Sequence, residues 1–297
     1  KVNFANYGYK KNKMNGIIFD KNFVINFKED LRSINFELIN TGFLVSLDNL
    51  QNTTKNKVSG ILRSKILGAN LKLNFIYDKD KIYLNDIFFR EKKLSFNSEG
   101  FLKLNPFFKI NLSSNIKDID TNLFKNLDID KLLSFKDFLK KLNSEQTINF
   151  KPKRFNKSLI SNLNIFVNLA YGRLETSKKI SILETNLSCS SNINLLDDFP
   201  VFYFECSMYS PNKKELFKKI GINTKIKDDT FKLDVIGNLN PLSKKVNFKT
   251  IKVNENYKAT QEDLKYFKKT FENILFDDNF IEIFNISKIK KFVSEIL

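Results

Sequence analysis

Apolar and polar residues alternate in short runs along the first part of this chain, and this pattern constrains the fold more than any other feature. The alternation is strict over residues 71–75, 94–97, 102–105 and 108–112. Successive side chains of a β-strand point to opposite faces, so a period of two is typical of a half-buried strand. Turn-forming residues separate the runs at a spacing of roughly ten residues. The sequence therefore predicts a mainly β fold, an elongated and curved antiparallel sheet in meander order, over residues 1–118.

The apolar positions of these runs fall on one face of the predicted sheet, and the intervening Lys, Asn and Ser residues fall on the other. An apolar sheet face must be covered by another layer or filled by a ligand. Two interpretations therefore stay open, a groove that holds lipid and a closed core. The candidate groove residues are Leu71, Leu73, Phe75, Ile82, Leu84, Leu94, Phe96, Leu102, Leu104, Phe108 and Ile110.

The pattern changes after residue 118. Apolar residues at helical spacing predict an amphipathic helical insertion over 119–146. Strands are expected again over 147–258, with a short helix near 213–220 that Gly221 ends. The run from Thr260 to Asp263 has the composition of a helix cap, and residues 259–297 are predicted to be helices. The expected strands of this part are 147–150, 163–170, 172–177, 180–190, 201–207, 230–237 and 246–253.

The composition argues against catalysis. The sequence contains no His, which removes the commonest general base and metal ligand, together with the Ser-His-Asp and Cys-His arrangements. Neither a GxGxxG motif nor a phosphate-binding loop is present. The paired acids at 197–198, 228–229 and 277–278 stand beside expected turns, where Asp stabilises the backbone. The chain is therefore expected to be a non-enzyme that needs no cofactor and no metal.

The chain is strongly basic, with 50 Lys and Arg against 33 Asp and Glu and a formal net charge of +17. Such a charge favours contact with anionic surfaces. The abundance of Lys beside Asn, Ile and Phe is also typical of an AT-rich genome, which is the alternative cause. The densest basic stretch contains Lys151, Lys153, Arg154 and Lys157. It is either a solvated loop or a contact for anionic lipid headgroups, and without a nucleic-acid-binding motif we expect no nucleic-acid partner.

The two cysteines, Cys189 and Cys206, stand at matching distances from Asp197 and Asp198. If this segment is a hairpin centred between the two aspartates, the cysteines lie directly opposite each other. Opposed residues come near disulfide reach, and such a bond forms in an oxidising compartment. The alternatives are a cross-strand disulfide and two buried thiols.

Part of the sequence resembles the AsmA-like family of bacterial envelope proteins, which includes AsmA and TamB. The resemblance lies in residues 60–64, 85–89 and 97–108, where a Gly-containing strand ends at Asn-Pro. Residues 237–251, followed by two Lys-rich helices, resemble the C-terminal part of such proteins.

The resemblance implies a long sheet with a lipid-compatible groove, located in the periplasm and involved in phospholipid transport and outer-membrane assembly. It implies partners among phospholipids and envelope proteins, and an inner-membrane anchor expected in a segment before Lys1. It implies no catalytic residues. The alternative function is a structural or protein-interaction β-module of the cell envelope.

Overall fold

The structure is a computed structural model. It describes residues 2–6, 12–18, 21–28, 31–54, 57–66, 69–91, 94–119, 136–150, 152, 160–222, 229–275 and 286–296. The chain divides into two compact units, Lys1–Asp118 and Ile119–Leu297, called unit 1 and unit 2 below.

Unit 1 is built from strands that pair with their neighbours in the sequence, and every register described for it is antiparallel. Its described residues contain no helix. The described turns of this unit include residues with a positive φ, such as Lys79. The strands are β1 (Val2–Asn6), β2 (Asn12–Ile18), β3 (Lys21–Lys28), β4 (Ser33–Leu38), β5 (Phe43–Thr54), β6 (Lys57–Ile66), β7 (Ala69–Asp78), β8 (Lys81–Arg90), β9 (Leu94–Lys103) and β10 (Lys109–Ile119).

Unit 2 continues in the same manner, because its described registers from β11 to β18 are also antiparallel between successive strands. The mainly β fold with antiparallel meander pairing and a few short helices is therefore confirmed. The strands are β11 (Asn143–Phe150), β12 (Asn162–Ala170), β13 (Arg173–Ile182), β14 (Thr185–Asn194), β15 (Phe202–Ser210), β16 (Phe231–Asn240), β17 (Lys245–Val253) and β18 (Tyr257–Lys258). The helices are α1 (Lys136–Lys141), α2 (Lys213–Ile220), α3 (Gln261–Leu275) and α4 (Ile286–Ile296).

Local capping residues set the ends of two helices. Asn212 accepts a hydrogen bond from the Glu215 amide at the start of α2, and Gly221 ends that helix with a φ of 80°. Thr260 and Asp263 exchange hydrogen bonds at the start of α3, from backbone N–H to side-chain oxygen in both directions. This reciprocal cap satisfies amides that otherwise lack a partner, and it holds the pKa of the Asp263 carboxyl below its ordinary value.

The expected helix over 119–146 was wrong at its end, because β11 begins at Asn143. Residues 120–135 lie outside the described residues, and α1 covers Lys136–Lys141. Ser144 and Gln146 stand opposite Leu169 and Val167 in β12, and Gln146 donates a hydrogen bond to Ser144. Polar residues therefore occupy inward positions of this strand, which hid its alternation from sequence reasoning.

The helices of unit 2 cover parts of its sheet. On β16 and β17, α3 buries Leu239, Val246, Phe248 and Ile251 against Leu264, and Val246 is only 1% exposed. At another place α1 contributes Leu139 to a cluster with Leu169 and Ile193. Helix α4 packs on α3 through an edge-to-face contact between Phe292 and Phe271. Since burial of apolar area drives folding, these helices stabilise the strands that they cover.

Candidate functional site

The candidate site is the apolar face of unit 1, formed where successive strands place large aliphatic side chains side by side. Leu73 stands opposite Leu62, Phe75 opposite Leu84, and Ile82 opposite Leu102. The most buried members are at its centre, where Leu84 is 9% and Ile87 is 6% exposed. The apolar face consists of Leu62, Leu71, Leu73, Phe75, Ile82, Leu84, Ile87, Leu102 and Leu112, with the stacked pair Phe89 and Phe96 beside them.

Most of the sequence-predicted groove residues lie on this face. Six of them belong to one cluster, which contains Leu71, Leu73, Phe75, Ile82, Leu84 and Leu102. Phe96 stacks on Phe89 with ring centroids 4.8 Å apart. Leu94 and Ile110 are half-buried and lie on β9 and β10.

Two predicted groove residues lie outside the strands. Leu104 follows the end of β9 and is 37% exposed, so the predicted strand run 102–105 ends earlier, at Lys103. Phe108 is half-buried and immediately precedes β10. The strand ends because residues 105–107 turn, with a cis peptide bond between Asn105 and Pro106.

A β-bulge in β8 explains why sequence reasoning missed Ile87 and Phe89. Asn85 and Phe88 pair with Asn74 and Lys72, so two residues of β8 face the single residue between those positions in β7. A bulge shifts the alternation by one residue, which turns Ile87 inward and Asp86 outward. Asp86 has a φ of 50°, a conformation that Asp tolerates better than most residues. The Asn85-Asp86 pair in the middle of an apolar strand was the available signal.

A similar bulge in β5 lets Leu50 reach the apolar face. Asn49 has a φ of 55° there, and Asp48 and Gln51 pair with Ile61 and Ser59. Leu50 and Phe75 approach Gly60 from its two neighbouring strands, and a Cβ atom on Gly60 would lie 2.9 Å from each. Glycine at this position therefore allows two large side chains to meet over β6.

The apolar face also contains hydroxyl groups. Ser98 and Ser114 form a hydrogen bond across β9 and β10, with the two oxygens 2.5 Å apart. Ser64 is 6% exposed, and its hydroxyl has no hydrogen-bond partner in the described part of the chain. A buried hydroxyl without a partner costs free energy, so Ser64 is a local defect in this face.

The opposite face of unit 1 carries charged and amide groups together with exposed aromatic and aliphatic side chains. Arg63 forms an ion pair with Asp48, and Lys57 forms one with Asp78 at 2.8 Å. This contact raises the pKa of the Lys57 ammonium. Asn74 donates a hydrogen bond to Asp86 at 2.9 Å. The unit thus has one apolar face and one water-exposed face of mixed composition.

The other predicted site residues belong to unit 2. Cys189 and Cys206 stand directly opposite each other in β14 and β15, and a disulfide joins them. The candidate headgroup contacts Lys151, Lys153, Arg154 and Lys157 all lie outside the described residues.

The outer face of unit 2 carries an open depression of about 520 Å³. Its lining includes Arg173, Glu175, Asn192 and Tyr203, of which Tyr203 is nearly half exposed. The sequence patterns had not indicated it, because these four residues are outward positions of three different strands. Within the described ranges, no group of His, Cys, Asp or Glu side chains is arranged to hold a metal ion. The helices of those ranges include none with the length and apolarity that crossing a membrane requires.

Comparison with protein-family models, with curated proteins and with solved structures finds no match to this chain.

Proposed function

We propose that this chain is a non-catalytic, AsmA-like lipid-handling protein of the bacterial envelope, whose unit 1 contacts the acyl chains of phospholipid. The observation that carries the proposal is the apolar face of unit 1, which spans several strands of a unit whose described residues contain no helix. Each methylene transferred from water to such a face contributes roughly 0.8 kcal/mol. An acyl chain therefore gains several kcal/mol from contact with a few strands.

Three further features support this function. The sequence has no His, so the common hydrolytic mechanisms lack their base. The Cys189–Cys206 disulfide is typical of an oxidising compartment and supports a periplasmic location. The excess of basic residues favours contact with anionic membrane surfaces. In this proposal the full-length protein is anchored to the inner membrane and acts in lipid transport or outer-membrane assembly.

The test is binding of phosphatidylcholine that carries a fluorescent acyl chain, added to delipidated protein. Phe88 and Phe89 form a matched pair, because they are neighbours in β8 on opposite faces. We expect Phe89→Asp to reduce binding about tenfold or more, since it places a charge against the acyl chain. Phe88→Asp, on the opposite and water-exposed face, should bind as the unchanged protein does.

Circular dichroism and thermal melting would show whether both variants are folded. If Phe89→Asp does not fold, the milder Phe96→Asn replaces it, since Phe96 stacks on Phe89. Two results would contradict the proposal. One is the absence of phosphatidylcholine uptake, and the other is unchanged uptake by the folded Phe89→Asp or Phe96→Asn variant.

The depression on the outer face of unit 2 favours a second candidate function, a protein-interaction module of the envelope. It places Arg173 beside Tyr203, and exposed Tyr and Arg are enriched in protein interfaces. Crosslinking in envelope extracts would favour this function if Tyr203→Ala removed a protein partner while phosphatidylcholine uptake was absent.

A further inference from the structure

A single lysine interrupts an apolar row that crosses unit 2. The strand registers align seven residues from β11 to β17, one from each strand. Six of them are apolar or belong to the disulfide, and Lys178 is the charged member. The row is Ile148, Ile165, Lys178, Cys189, Cys206, Val235 and Ile251.

The face of unit 2 on which this row lies is called the inner face below. Lys178 is half-buried on the inner face, whereas its neighbour Lys179 is exposed on the outer face. The difference follows from the alternation of β13, which also turns Thr176 and Ile180 inward. A charged side chain at an inward position of a sheet is uncommon because desolvation of the charge costs free energy. Lys178 therefore has no evident role in forming the sheet.

The ammonium group of Lys178 has no carboxylate partner among the described residues. Its Nζ lies 5.9 Å from the ring centroid of Phe202, which is two strands away on β15. The side chain thus extends along the inner face past the row that contains Thr176 and Ser191. Burial lowers the pKa of this ammonium below its ordinary value, and no neighbouring anion opposes the effect.

We propose that Lys178 binds the anionic group of an acyl lipid whose hydrocarbon chain lies on the inner face of unit 2. The inference rests on the proposed function and adds a charge requirement to it. A cation that has no carboxylate partner and stands in an otherwise apolar row is complementary to a molecule that has one negative group and a hydrocarbon tail. A bound carboxylate or phosphate would restore to the ammonium the interactions that burial removes.

Two nearby hydroxyls extend this polar spot. The hydroxyl oxygens of Thr176 and Ser191 lie 2.6 Å apart and share one hydrogen bond. Because only one of the two hydroxyl protons is used in that bond, the other is available to an acceptor. The disulfide holds β14 against β15 beside Lys178 and supplies a rigid apolar wall. Anionic lipid thus meets one cation, one hydroxyl donor and apolar contacts on the same face.

The experiment compares a fluorescent fatty acid, cis-parinaric acid, with its uncharged methyl ester, each titrated into the delipidated full chain. We expect the acid to bind about tenfold or more tightly than the ester, which is the scale of one charge-assisted contact. Lys178→Met should remove this preference, and Lys178→Arg should retain it. Lys179→Met is the matched control and should behave as the unchanged protein does.

Retention of the acid preference in folded Lys178→Met would overturn the inference. Displacement of the acid by inorganic phosphate alone would also overturn it, because the ligand would then be a small anion rather than a lipid. If the protein takes up phosphatidylcholine but does not prefer the acid to the ester, Lys178 has no role in lipid binding. The proposed function is unaffected by that result. Failure to bind phosphatidylcholine, the acid and the ester removes both.

Discussion

The two units present the same kind of sheet face but differ in what lies on it. In unit 1 the described residues form strands and turns without a helix, and the apolar face includes the hydroxyls of Ser64, Ser98 and Ser114. In unit 2, α3 and α1 cover parts of the face, and Lys178 and the disulfide occupy the strands between. The difference shows that alternation makes a face apolar, whereas the helices of unit 2 determine which of its strands are covered.

In each unit, a glycine within a strand packs closely against the backbone of the next strand. Gly100 and Gly237 each precede an Asn-Pro turn, and each packs against the backbone oxygen of an Asn in the next strand. A Cβ atom at Gly100 would lie 1.9 Å from the oxygen of Asn111, and one at Gly237 would lie 2.7 Å from that of Asn247. Each unit therefore contains a Gly-containing strand that ends at Asn-Pro and makes the same close backbone contact.

The largest expected effect tests the close backbone contact at these two glycines. Gly100→Ala should lower the free energy of unfolding by about 3 kcal/mol or more, because the new methyl group meets backbone that cannot move aside. Gly237→Ala should cost less, since its closest contacts are longer and include the ring of Phe204. Urea unfolding followed by circular dichroism measures both, and a larger loss for Gly237→Ala would contradict the comparison.

The next effect compares a strand that packs under α3 with a strand whose described packing partners are other strands. Phe271→Ala should cost about 3 kcal/mol, because its ring contacts Phe248 and Phe292 on two other elements. Phe89→Ala in unit 1 should cost about 1–2 kcal/mol, since its described ring contact is with Phe96 alone. Chemical unfolding of both variants provides the measurement, and equal losses would show that α3 contributes little.

Sequence reasoning predicted the strand-rich fold and most of the apolar face, because strict alternation is a local property. It missed Ile87 and Phe89 because a one-residue bulge inverts the alternation after Asn85. It also divided β13 in two, because Lys178 and Lys179 resemble a turn, although the strand continues through them to Ile182. The position of Lys178 on an inner face depends on its neighbours in other strands, which alternation alone did not reveal.

A smaller effect concerns the hydroxyls of the two faces. Ser64→Ala in unit 1 should raise the free energy of unfolding by about 1 kcal/mol, because it removes a buried hydroxyl that lacks a partner. Ser191→Ala in unit 2 should lower it by about 1 kcal/mol, because it breaks the bond to Thr176. Thermal melting of the two single variants tests the opposite signs, and a loss of stability in Ser64→Ala would refute the assignment of a defect.

The smallest effect is a dependence on pH that unit 2 has through Lys178. Its folded-state pKa lies below the ordinary value of 10.5, so between these two values the unfolded chain binds more protons. The free energy of unfolding should therefore rise with pH in that window, relative to Lys178→Met. Urea titrations of both proteins at pH values up to 10.5 measure this difference, and parallel curves would argue against a desolvated ammonium.

The disulfide between Cys189 and Cys206 determines which side chains of β15 lie on the inner face of unit 2. If β15 slid by one residue along β14, every side chain of β15 would exchange sides, and Phe204 would point to water. The covalent link makes that misalignment unattainable for these two strands. The disulfide therefore fixes which residues of β15 lie on the inner face, even when the surrounding contacts loosen.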